Sequence, residues 1–192
     1  MRNDRVCVGG HDLDAGFQSV RLLRADGTNM LEKDPLQIGD VWEIDYRPRP
    51  GVQRPHVEDV LVISGKRDRR IANVERYLRQ RVTPRLGTPQ ELFDGTVTGT
   101  PSGTAYVPDQ PPLPTRSTGY WIPDSDLYRR SFENKTRFIY AAPSLANRLS
   151  WVGMEDPPET LAAGNLVRVS LARLWSPPSA PSGYYVQISG VY

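Results

Sequence analysis

Six side chains have the types from which a metal-binding or catalytic set is drawn: His11, Asp12, Asp14, His56, Glu58 and Asp59. Two imidazoles and one carboxylate suit a divalent metal if they converge. A metal-activated water would then make the chain a metal-dependent hydrolase. The local alternative is that Glu58 and Asp59 make turn contacts and salt bridges with Arg47, Arg49 or Arg54. No other motif offers nucleophilic or phosphate chemistry: there is no P-loop, no Gly-x-Ser-x-Gly elbow and no His-Glu-x-x-His. Gly95, Gly99 and Gly103 are spaced by four, but in a Thr/Pro/Ser loop with no helix after it. A phosphate cradle needs amides aimed from a strand-to-helix turn. Cys7 is the only cysteine, which excludes an internal disulfide and a multi-cysteine zinc site. No catalytic residue, cofactor or resident metal is therefore expected.

Binding chemistry is better represented. Between Gly65 and Leu86 stand Lys66, Arg67, Arg69, Arg70, Arg76, Arg79, Arg81 and Arg85, opposed only by Asp68 and Glu75, a local excess of six positive charges. The chain holds 21 Arg against 3 Lys, and Arg favours bidentate and stacking contacts with phosphates and bases. Single-strand binding also needs aromatic faces beside cations. Trp175, in the Pro-rich loop Leu174-Trp-Ser-Pro-Pro178, and Trp121, near Arg116, are the candidates. Trp42 alternates with Ile44 and reads as core. The alternative for the basic run is an ordinary surface helix whose guanidiniums lie over its apolar stripe.

The elements that must position these residues form a repeat. Ile38-Gly-Asp-Val-Trp-Glu-Ile-Asp-Tyr46, moved 125 residues on, meets Ala163-Gly-Asn-Leu-Val-Arg-Val-Ser-Leu171. The same offset carries Val62-Ile-Ser-Gly65 onto Gln187-Ile-Ser-Gly190. Upstream, Arg21-Leu22 matches Arg148-Leu149, and Arg5-Val-Cys-Val-Gly-Gly10 matches Arg137-Phe-Ile-Tyr-Ala-Ala142. Each copy reads as short strands: Arg5–Gly9, Ser19–Arg24, Val41–Tyr46 and Asp59–Ser64, then Thr136–Ala141, Arg148–Val152, Leu166–Leu174 and Tyr184–Ser189. Val, Ile, Tyr and Trp fill them, with Gly, Pro, Asp and Asn between. Strands this short and dense suggest small barrels, because closure removes sheet edges. The expected fold is mainly β with a small helical insert: two tandem OB-like barrels at 1–66 and 135–192, with a helical and loop insert at 67–134. Within the insert, Ile71, Val74, Leu78 and Val82 share one helical arc with Asp68 as N-cap. A second short helix is expected from Pro89 with Thr88 as its cap. Brief strands are expected at Thr104–Val107 and Thr118–Ile122.

These motifs, from Arg5-Val-Cys-Val through Pro55-His-Val-Glu-Asp-Val-Leu-Val62, resemble the bacterial dual OB-containing domain family, and the second copy fits the same pattern. The resemblance implies a tandem OB module of conflict and phage-defence systems that binds nucleic acid or nucleotides, with no assigned catalytic residue.

Composition sets the outer limits. With 38% hydrophobic and 24% charged residues in 192, and a net charge of +2, the chain should fold as a soluble globular protein. No apolar run approaches the ~20 residues of a membrane span. Met1–Asp4 is polar and Val6–Val8 too short for a signal core, so a cytoplasmic location without membrane contact is expected. The leading expectation is non-enzymatic, sequence-tolerant nucleic-acid binding through the basic insert and the loop aromatics. The alternative is a protein-interaction or sensor subunit of a multi-component defence system that recruits or gates an effector.

Overall fold

Alternation along Asp40–Pro48 turns Trp42, Ile44 and Tyr46 inward, half-buried, and leaves Glu43 and Asp45 exposed. Period-two patterning of this kind recurs along both halves of the chain and sets a mainly β architecture. The computed structural model describes residues 4–132 and 135–192, and the chain divides into two units, Met1–Arg81 and Val82–Tyr192.

The first unit contains β1 (Arg5–Val6), β2 (Val8–Asp12), β3 (Gln18–Leu23), β4 (Met30–Leu31), β5 (Asp40–Pro48), β6 (Asp59–Arg70) and helix α1 (Val74–Arg79). β1 pairs with β4. The main sheet has the order β2-β3-β6-β5, with β3 and β6 parallel and the outer pairs antiparallel. Its apolar core is thin: among the described residues, Leu22, Leu23, Val60, Leu61 and Leu78 are the buried hydrophobic side chains.

The second unit holds β7 (Arg85–Gly87), β8 (Thr98–Gly99), β9 (Ala105–Pro108), β10 (Thr118–Pro123), β11 (Leu127–Phe132), β12 (Lys135–Tyr140), β13 (Arg148–Trp151), β14 (Thr160–Leu161), β15 (Val167–Leu171) and β16 (Gly183–Val191). Their order is β14-β11-β12-β13-β16-β15-β10-β7, with β9 on β16 and β8 on β9. Trp121, Phe138, Tyr140, Leu149, Val167 and Ile188 anchor a far larger core. Each such side chain contributes roughly 1.5–3 kcal/mol by leaving water.

The duplication is visible in the pairing. β12-β13-β16-β15 repeats the order of β2-β3-β6-β5, including the one parallel contact between its second and third strands. Gly39 and Gly164 open the matching strands with the same φ of +87°, a turn conformation that glycine adopts without steric cost. The register departs from the sequence match in places, the first strand among them. With Leu22 set on Leu149, the partner of Leu22 is Val8 and that of Leu149 is Phe138, whereas the sequence match had put Val6 on Phe138. A two-residue slip leaves every side chain on its own face.

Three expectations change. The sheets are open rather than closed barrels, since strand pairing in neither unit returns to its starting strand among the described residues. The helix is shorter than the Ile71–Val82 arc, and Asn73 rather than Asp68 caps it, accepting the Arg76 backbone N–H at 2.8 Å. The cause is β6, which runs on to Arg70 because β5 offers it a ladder as far as Asp40. The helix expected from Pro89 is a single 3-10 turn, Pro89–Glu91, preceded by Thr88 with no side-chain cap bond. The brief strands expected in the insert appear as β9 and β10.

Candidate binding site

The inner face of the first sheet is not filled. Trp42 and Ile44 of β5, Val62, Ile63 and Gly65 of β6, and Leu22 of β3 line a cleft of about 550 Å³, closed on the far side by Met30, Pro35 and Leu36. In the second unit the corresponding face of β15, built from Val167, Val169 and Leu171, is buried in the core. One frame thus has two surfaces: a packed one and an open one. Gly65 lies opposite Ile44 and adds no side chain to the floor. Trp42 has its Nε1 buried without a hydrogen-bond acceptor among the described residues, a donor that a ligand oxygen could satisfy.

The rim is polar and slightly acidic. Arg24 meets Asp34 at 3.5 Å, and Asp34 also accepts the Leu31 N–H at 2.8 Å. Asp26 accepts the Thr28 hydroxyl at 2.6 Å and its N–H at 2.9 Å, and those two bonds, hydroxyl first, hold its carboxyl below the usual carboxylate range.

The basic run does not form the free cationic surface that the linear count suggested. Lys66 pairs with Glu43 at 2.8 Å, and Arg67 with the almost buried Asp40 at 2.9 Å. Arg70 bonds Gln37 at 2.8 Å and lies 4.0 Å from Asp40, while Arg69 pairs with its neighbour Asp68. On α1, Arg79 meets Glu75 at 2.8 Å, and just beyond its end Arg81 stacks on Tyr77 at 3.8 Å. Arg76 is exposed on the same helix. Arg85 belongs to the second unit, 3.5 Å from Asp94. Cross-strand carboxylates from β5, distant in sequence, supply much of the missing negative charge.

Of the two aromatics, Trp175 is exposed, edge-on to Tyr185 at 5.2 Å, with the Lys135 ammonium 6.0 Å from its ring. Trp121 instead is fully buried, the largest such side chain among the described residues, and donates its Nε1–H to the Gly87 carbonyl at 2.8 Å. Its position on the inner face of β10 takes its ring away from any ligand.

The metal reading loses its geometry. Among the described residues no three His, Cys, Asp or Glu side chains gather into a set that could hold a metal ion. His11 stacks on Phe17 at 4.2 Å. Asp12 accepts the Tyr46 hydroxyl, which together with the N–H groups of Ala15 and Asp14 keeps its carboxyl low. His56, Glu58 and Asp59 are buried. Asp59 accepts Arg21 Nε at 2.6 Å and meets Arg49 at 3.0 Å. The expected contact to Arg49 forms; Arg21 was missed because it is distant in sequence and becomes its neighbour only when β3 and β6 pair. The cleft was missed for a similar reason: alternation marks Trp42 and Ile44 as an inner face but not whether anything covers it.

The sequence profile of the dual OB-containing domain family matches residues 1–191. No curated protein and no solved structure matches the chain.

Proposed function

The chain belongs to the dual OB-containing domain family, and from that premise we propose that it is a non-enzymatic binding module whose first unit receives a protein partner in the Trp42–Ile44 cleft. The observation that carries this reading is the contrast between the copies: the β15 face is core, while the matching β5 face is open and apolar. Open apolar surface of this kind marks an interaction site. The role is that of an interaction or sensor subunit that recruits or gates an effector in a multi-component system. Co-purification with the products of neighbouring genes tests it. Wild-type chain should retain a partner that Ile44→Asp releases; retention of the same partner by Ile44→Asp would refute the cleft as the site.

Nucleic-acid binding is the second reading. It is favoured by exposed Trp175 beside Lys135 and by the exposed Arg69 and Arg76 of the basic run. Fluorescence titration with single-stranded oligonucleotides at several salt concentrations should then give affinity that falls as salt rises. Absence of binding at low salt removes this reading.

A further inference from the structure

We infer that the outer edge of β5 accepts an extended segment of a partner protein, added antiparallel over Trp42–Asp45, with alternate side chains entering the cleft. The inference rests on the reading of the cleft as a protein-binding site and gives it a geometry.

The chain carries its own template. On β15, the strand that matches β5, the outer edge is taken by β10, antiparallel, with Thr118 opposite Ser170, Gly119 opposite Val169, Tyr120 opposite Arg168 and Trp121 opposite Val167. β5 pairs with β6 alone among the described residues, so its outer edge is unpaired over nine residues. An exposed edge of this length presents N–H and C=O groups to another strand, and strand addition is a recurrent way of binding an extended peptide.

The side chains specify the occupant. Opposite the small Val167, β10 places Trp121; opposite the large Trp42, the incoming strand must place a small or β-branched residue. On the other face of β5, Glu43 is answered by Lys66, but Asp45 lies opposite Ser64. An added strand therefore does best with a basic residue beside Asp45. A second copy of this chain fits poorly: two β5 strands paired antiparallel about Ile44 would set Glu43 against Asp45 twice, and like charges directly opposite are destabilising. The occupant is a partner segment that alternates small apolar and basic residues.

A fluorescein-labelled peptide alternating valine and lysine, titrated into the full chain by anisotropy, tests this. Binding should weaken about tenfold or more when alternate amides are N-methylated in one frame, because two or three ladder bonds are lost. Methylation in the other frame, whose N–H groups face away, should leave it unchanged. Asp45→Lys, at an exposed position, should weaken this peptide and favour one alternating valine and glutamate. If both methylated peptides bind like the parent, and Ile44→Asp abolishes binding, strand addition is overturned while the cleft reading stands. If the parent does not bind, or Ile44→Asp binds it as well as wild type does, both are overturned.

Discussion

Replacing Asp59 by alanine removes the carboxylate that Arg21 contacts across the parallel pairing of β3 and β6. The Asp59 side chain is 1% exposed and that of Arg21 10%, whereas Arg49, which Asp59 also meets, is 39% exposed. The Arg49 contact therefore contributes only about 0–1 kcal/mol, as exposed ion pairs do. Loss of the Arg21 partner is different in kind, because a guanidinium stays buried without its counter-charge, a cost of about 3–5 kcal/mol. Among the described residues the first unit has five buried apolar side chains to set against it. With a urea dependence of about 1 kcal/mol per molar for a unit of this size, its midpoint should fall by about 3 M or more. Hydrogen exchange read by mass spectrometry resolves the two units separately. Protection in β3 and β6 should drop by about a hundredfold to several thousandfold, with β13 and β16 unchanged. Asp59→Asn, which keeps the shape and one acceptor, should lose less. Unaltered protection of β3 and β6 in Asp59→Ala would refute the assignment of this pair as the polar anchor of the first unit.

Three further outcomes are expected. Burial pushes the Tyr120 and Tyr140 hydroxyls up to about 12, in Tyr140 with help from Asp124. The folded state thus favours their neutral forms, and their contribution is full below pH 10 and lost as pH rises towards about 12. Absorbance titration at alkaline pH should show tyrosine ionisation that is completed only as pH nears about 12, and a single step near 10 would contradict this. Asp94 is held low first by the Thr115 N–H, at 2.8 Å, and then by the Thr115 hydroxyl and by Arg85 and Arg116. Its stabilisation is present above the ordinary carboxylate value and fades as pH falls through the lowered one. Asp94→Asn should therefore flatten the acid limb of the second unit's stability, measured by denaturation between pH 7 and pH 2.5; an unchanged limb would count against it. Gly99→Ala would drive a Cβ into the Leu145 carbonyl. Overpacking against backbone should destabilise the second unit by about 1–3 kcal/mol, and an unchanged melting temperature would argue against that contact.

Much of the frame was legible because it rests on short-range pattern. Alternation located β5, and the match of Gly39 to Gly164 located β15, since both turns need the same glycine conformation. What failed depended on partners far along the chain. Lys66 and Arg67 counted towards a free basic run until β5 supplied Glu43 and Asp40 across the ladder. Trp121 looked like a binding aromatic until Val167 and Tyr140 closed around it. The open cleft could not be read at all, because Trp42 and Val167 carry the same alternation signal whether or not a second layer lies over them.

The two-residue slip between β2 and β12 bears on how a duplicated strand can change through successive mutations. A pleated strand tolerates insertion or deletion in pairs, because each pair returns the chain to the same side. Single-residue edits invert everything downstream unless the extra residue is extruded. The β5–β6 ladder carries register shifts of that sort at Val41/Trp42 and at Asp45/Tyr46, and the β15–β16 ladder one at Arg168/Val169, where one unmatched residue is absorbed in a bulge. Even-length drift in one strand and bulges in another let two descendants of one ancestral segment diverge in length while their inward-facing residues keep facing inward.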